Sequence, residues 1–164
     1  MKYIKMLLIM LISTVAYAAP EINTYTPEKP IENINADMPS IEKKVREAAL
    51  KITAPFTGGH GSGSYIKYKD LHLVFTAQHV SDGALGMNYL TTYKQESHIA
   101  TLIYSDPVND IAVLYLRAEF RTVEPMKFNP LKSPANIGTS IIYSGYPSTH
   151  KLMSFTGRVA GYAS

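Results

Sequence analysis

The sequence predicts an all-β chain, an antiparallel barrel of short strands with one short helix near the N-terminus. Two observations carry that prediction. From Ser64 onward, short runs rich in apolar and β-branched residues recur at close spacing, divided by Gly, Pro, Asn, Asp and Ser turn signals. Only one stretch, Ser40 to Lys51, carries a helical period instead. At 164 residues and 46% hydrophobic content, the chain has enough material for one modest domain with a buried core.

Met1 to Ala18 reads as a signal peptide. Lys2 and Lys5 give a positive start, Met6 to Ile12 an apolar middle, and Ala16-Tyr17-Ala18 a small-x-small cleavage site. The apolar run falls short of the roughly 20 residues a membrane span needs. The segment predicts export to the periplasm or beyond the cell, leaving no stable membrane anchor after cleavage. It holds two lysines and no acid, so the formal charge falls from +3 to +1 without it. That small residue of charge gives no case for a nucleic-acid partner. The chain has no cysteine, which excludes disulfides, a thiol nucleophile and a cysteine-ligated metal.

Ala19 to Pro39, with Pro20, Pro27, Pro30 and Pro39, reads as a flexible leader or an arm laid on the domain. For the helix over Ser40 to Lys51, Ser40 is the expected cap. Ile41, Val45, Ala48, Ala49 and Ile52 form its apolar face, and Pro55 ends it. The face suits docking on a barrel edge, or a membrane or partner surface. Thr57 to Ser64 is glycine-rich but lacks the lysine and serine/threonine of a phosphate loop. Ser64 to Tyr68 and Leu71 to Ala77 predict a hairpin turned at Lys69-Asp70. Leu85 to Tyr93 and His98 to Ser105 are the next strands, with Ala100, Leu102 and Tyr104 on one side of the second. Ile111 to Leu116 is apolar enough to be buried on both faces. Glu119 to Pro134 reads as a loop, Ile137 to Tyr143 as a strand, and Leu152 to Ala160 as the first half of a further hairpin.

Two places carry chemistry. In LHLVFTAQHVSD, Leu71 to Asp82, a strand gives way to a loop at His79. Thirty-one residues later, Asp110 stands immediately before the apolar run Ile111 to Leu116. A rigid strand end can aim a side chain into a cleft. A histidine and an acid held this way are the orienting half of a nucleophile–base–acid triad. Taken singly, His79 could be satisfied structurally and Asp110 could cap its own turn. His60, His72 and His79 make no metal set, since no carboxylate falls at a partnering interval and His72 reads as a solvent-facing strand residue. No metal or cofactor is expected.

TAQHV followed by DPVNDIAVL resembles the trypsin-like serine peptidases, and within them the bacterial HtrA/Deg-type branch. The resemblance runs from about Ile52 to Ser164. It implies that His79 is the general base, that Asp110 orients it, and that 40–164 is the N-terminal part of a peptidase domain. It implies a complete first barrel and a second barrel only begun. The family's nucleophile sits in a GxSGxP motif, which this sequence lacks. Ser144-Gly145-Tyr146-Pro147 matches the SGxP half, with Ile142 where the family has glycine, and comes only 34 residues after Asp110. The expectation is a serine endopeptidase acting on exported or misfolded proteins, present here as a fragment without its nucleophile. The alternative is an inactive relative that binds peptides or a protein partner. The open edges of a half-built second barrel also predict self-association into a homo-oligomer.

Overall fold

The computed structural model describes residues 37–55, 58–148 and 150–162; the expected signal peptide and the leader up to residue 36 lie outside them. Among the described residues, one α-helix, α1 (Ser40–Glu47), precedes nine strands. These are β1 (Ala49–Thr53), β2 (His60–Tyr68), β3 (Leu71–Thr76), β4 (Asn88–Tyr93), β5 (Glu96–Asp106), β6 (Ile111–Leu116), β7 (Met126–Lys127), β8 (Ser140–Gly145) and β9 (Met153–Arg158).

The first six strands close on themselves in the order β1-β4-β5-β6-β3-β2 and back to β1, every pair antiparallel. β7 adds to β2 in parallel. β8 and β9 form a separate, open two-stranded sheet. The expected all-β architecture therefore holds, with a closed first barrel and a second sheet begun. Two hairpins turn on two residues each, and in both the first turn residue, Lys69 or Lys94, has positive φ. That is the backbone twist two-residue hairpins favour.

The barrel interior is filled by Leu50, Ile52, Tyr65, Val74, Tyr89, Leu102 and Leu114, all almost fully buried. Tyr65 brings a hydroxyl into that core and hydrogen-bonds it to His72 Nδ1 at 2.5 Å. Burial pushes the Tyr65 phenol up to about 12. His72 is consequently not the solvent-facing residue expected: its side chain is only 17% exposed, and Nε2 turns toward Glu119 at 3.5 Å.

Several other elements differ from the sequence reading. The helix stops at Glu47 rather than Lys51, because Ala48, Leu50 and Ile52 are buried at a two-residue period and the backbone pairs with β2 from Ala49 and with β4 from Lys51. Ser40 does not cap α1; it is the first helical residue, and Pro39 holds the capping position without a side-chain bond. β2 begins at His60 rather than Ser64, so the glycine-rich stretch is strand from His60 onward. A bulge between Leu102 and Tyr104 turns Tyr104 outward, away from the face of Ala100 and Leu102. β6 alternates instead of being buried on both sides, with Ile111 and Tyr115 exposed. β9 is the returning arm of a hairpin with β8.

Candidate active site

β3 ends at Thr76, whose hydroxyl donates to the Ser62 carbonyl at 2.8 Å and closes the β2–β3 seam. The chain then makes one 3₁₀ turn, Gln78–Val80, held by Val80 N–H to Ala77 O and Ser81 N–H to Gln78 O. Val80 packs where Gly61 leaves room. A Cβ on Gly61 would fall 2.4 Å from Val80 Cγ2, so the turn carrying His79 can sit this close only over a glycine.

Asp110 is set by the connection from β5 to β6. The Asp106 carboxylate accepts the Val108 and Asn109 N–H groups at 3.0 and 3.1 Å and the Asn109 side-chain amide at 2.7 Å. These bonds hold the Asp106 carboxyl below its ordinary value, the Asn109 side chain contributing most. The turn ends with Asp110 at φ +54°, a left-handed conformation that Asp tolerates better than most side chains.

The two residues meet. Asp110 Oδ2 accepts from His79 Nδ1 at 2.8 Å, Oδ1 lies 3.0 Å from the same nitrogen, and Oδ1 also accepts the His79 backbone N–H at 3.0 Å. The Asp110 carboxyl is held below its usual value, first by that backbone N–H and then by the imidazole. An ionised carboxylate only accepts, so Nδ1 carries the hydrogen and Nε2 presents a lone pair. Nε2 has no hydrogen-bond partner among the described residues, and the His79 side chain is 72% exposed. A neutral imidazole held this way can take a proton at Nε2 and return it.

His79 lines a cleft of about 540 Å³ together with Ala54, Gly59, the 60–62 start of β2, Ala77, Val80, Asp82 and the 146–148 segment after β8. Among the described residues, no three histidine, cysteine or carboxylate side chains gather to hold a metal ion. None of the described helices is long and apolar enough to cross a membrane.

Residues 61–164 match the family model described as trypsin-like peptidase domain. The chain belongs to that family. A search of curated proteins finds no match. Among solved structures, an inactive-form mutant of Rv3671c from M. tuberculosis is 22% identical with a TM-score of 0.54, over 73% of this chain and 53% of that one. A second structure, of Rv3671c protease in an inactive form, is 21% identical with a TM-score of 0.54, over 75% of this chain and 59% of that one. At such identity the likeness shows the fold. The chain spans little more than half the length of these proteins.

In this trypsin-like peptidase domain, Ser144 stands apart from the His79 cleft. Its hydroxyl is bonded to Ser154 Oγ at 2.9 Å, which in turn accepts from Arg46 of α1 at 2.9 Å. Of the three histidines weighed as a set, His60 and His79 share the cleft, while His72 is half-buried against the Tyr65 hydroxyl. Sequence reasoning missed Ser62, Tyr146 and Ser148 as cleft residues. The period-two placement of His60 and Ser62 was the available signal, and the sequence reading began the strand only at Ser64.

Proposed function

We propose that the chain carries the base and orienting acid of a serine endopeptidase, His79 and Asp110, and belongs to the HtrA/Deg-type branch acting on exported or misfolded proteins in the periplasm or outside the cell. The observation that supports the chemistry is the pair of hydrogen bonds from His79 to Asp110, in a histidine that lines the cleft and whose Nε2 has no partner among the described residues. Nε2 takes the proton of a serine hydroxyl as that oxygen attacks a peptide carbonyl, then delivers it to the departing amine. Asp110 fixes the tautomer and steadies the imidazolium between the two transfers. The TAQHV and DPVNDIAVL motifs support the branch, and the segment Met1 to Ala18 supports the compartment.

The competing reading is a peptide-binding module without catalysis. One observation favours it: the hydroxyl of Ser144, the one serine in a partial motif, is committed to Ser154 rather than to His79.

Casein hydrolysis by the native gene product, purified from its source, separates the two. The peptidase reading expects turnover that falls by roughly 10³-fold or more in His79→Ala. Saturable casein binding without turnover, unchanged in His79→Ala, would establish the binding module instead.

A further inference from the structure

Ser62 is bonded in two directions at the His79 cleft. Its carbonyl accepts the Thr76 hydroxyl at 2.8 Å, at the end of the strand that leads into the His79 turn. Its own hydroxyl accepts the Tyr146 N–H at 2.7 Å, in a part-buried setting just past β8. Side chains alternate along β2. Gly61 faces Val80 and Gly63 faces Val74, so Ser62 between them points the other way, to the segment after β8. The approach there is close. A Cβ on Gly145 would lie 2.6 Å from Ser62 Oγ and 3.0 Å from Ser62 Cβ, so Tyr146 comes this near only behind a glycine. The Tyr146 side chain reaches on to β1, where its hydroxyl donates to the Ala49 carbonyl at 3.5 Å. Ser62, Tyr146 and His79 all line the cleft.

We propose that Ser62 is a positioning residue: its hydroxyl fixes Tyr146 as one wall of the His79 cleft, and so sets how firmly a peptide is held there. The peptide rests on the peptidase reading; the placement of Tyr146 does not. A part-buried N–H left without its acceptor is costly, which keeps the wall in one position while the hydroxyl is present. The bond to Thr76 uses the Ser62 backbone, so it survives any change of the side chain and the His79 turn stays where it is. The second sheet has a tie of its own to the first barrel, from Arg46 of α1 to Ser154 at 2.9 Å. Loss of the Ser62 hydroxyl therefore frees the wall and leaves the base and the sheet in place. A wall touches substrate alike before and during the chemical step, so loosening it weakens binding without slowing turnover.

Residue-resolved amide exchange on the full chain tests the placement without any ligand. In Ser62→Ala the Tyr146 amide should exchange about tenfold faster. The Tyr65 amide, bonded to the Ala48 carbonyl at 2.8 Å, should be unchanged. Ser62→Thr keeps the hydroxyl and should keep the wild-type rate at Tyr146. Equal exchange at Tyr146 in wild type and Ser62→Ala would overturn the placement, and so would a Ser62→Thr that matches Ser62→Ala. The role is then read from the native gene product with a fluorescein-labelled β-casein peptide. KM should rise several-fold in Ser62→Ala and return in Ser62→Thr, while kcat and the acid limb of the pH profile, which reports His79, stay as in wild type. An unchanged KM would overturn the role, as would a lower kcat or a shifted acid limb, since either shows that the base has moved. No turnover by wild type, with Tyr146 exchange still dependent on the Ser62 hydroxyl, would support the placement and overturn the peptidase reading on which the peptide rests.

Discussion

Asp110 holds His79 at two levels at once, accepting its backbone N–H at 3.0 Å and its ring Nδ1 hydrogen at 2.8 Å. The backbone bond places the turn and the ring bond chooses the tautomer. Asp110→Asn separates these roles. The amide oxygen can still take the backbone N–H, but its NH₂ group now faces Nδ1 and drives the hydrogen to Nε2. Nitrogen-15 spectra of the imidazole should show Nδ1–H in wild type and Nε2–H in the variant. On the proposed peptidase function, the same change should lower turnover by about 10⁴-fold. An unchanged tautomer in Asp110→Asn would refute the account of the pair.

The acid stability of the barrel should depend on Glu96. Its carboxylate accepts from the Thr122 hydroxyl at 2.5 Å, from the Arg121 and Thr122 N–H groups at 2.8 and 2.9 Å, and from His98 at 2.7 Å. These bonds, the Thr122 hydroxyl first, lower its pKa from 4.5 to about 2. The folded value lies below the unfolded one, so the stabilisation is complete above 4.5 and is lost as pH falls toward 2. Urea midpoints of Glu96→Gln should lie below wild type at neutral pH and converge on it as pH drops through that window. Parallel acid limbs for the two proteins would show that Glu96 is not responsible.

How much of this was legible in the sequence follows from what each signal measures. The pair His79 and Asp110 stood out because TAQHV and DPVNDIAVL follow each other at a spacing that resembles a known family, each at a strand boundary. An antiparallel barrel was readable from turns and alternation, which are local; its closure was implied by the resemblance. Ala48 to Ile52 was misread because Val45, Ala48, Ala49 and Ile52 also fit a helical face. Only pairing with β2 and β4, distant in sequence, selects the strand. The burial of His72 depends on the Tyr65 hydroxyl reaching across the hairpin, which no period reveals. The tie between Ser62 and Tyr146 spans 84 residues and has no local signature.

The Tyr65–His72 bond makes its own prediction. Tyr65→Phe keeps the packing of a fully buried ring and removes the one hydroxyl bonded to His72 Nδ1. A half-buried ring nitrogen left without its partner should cost on the order of 1–2 kcal/mol. Urea unfolding measures it. The phenol should also be silent in an ultraviolet titration until near 12. A wild-type-minus-variant spectrum showing phenolate well below that point would contradict the buried setting.

Gly63 should be the least replaceable small residue of the barrel. It pairs with Leu50 on one side and Thr76 on the other, so β2 cannot shift to make room. A Cβ there would meet Val74 Cγ1 at 2.5 Å, Ile52 Cδ1 at 2.7 Å and the Phe75 carbonyl oxygen at 3.1 Å. Val74 and Ile52 are both fully buried and cannot swing into solvent. Gly63→Ala should therefore cost roughly 1–3 kcal/mol, the range for overpacking a filled core. It should appear as a lower urea midpoint with an unchanged slope. Gly157, in the open β8–β9 sheet, is the control, since a Cβ there meets Ile141 only at 3.5 Å. Gly157→Ala should be neutral or slightly stabilising, because alanine loses less backbone freedom on folding. Introducing Gly63→Ala into a Val74→Ala background removes the closest colliding methyl. The cost of the glycine change should then shrink, and an undiminished cost would show that collision with Val74 is not its cause.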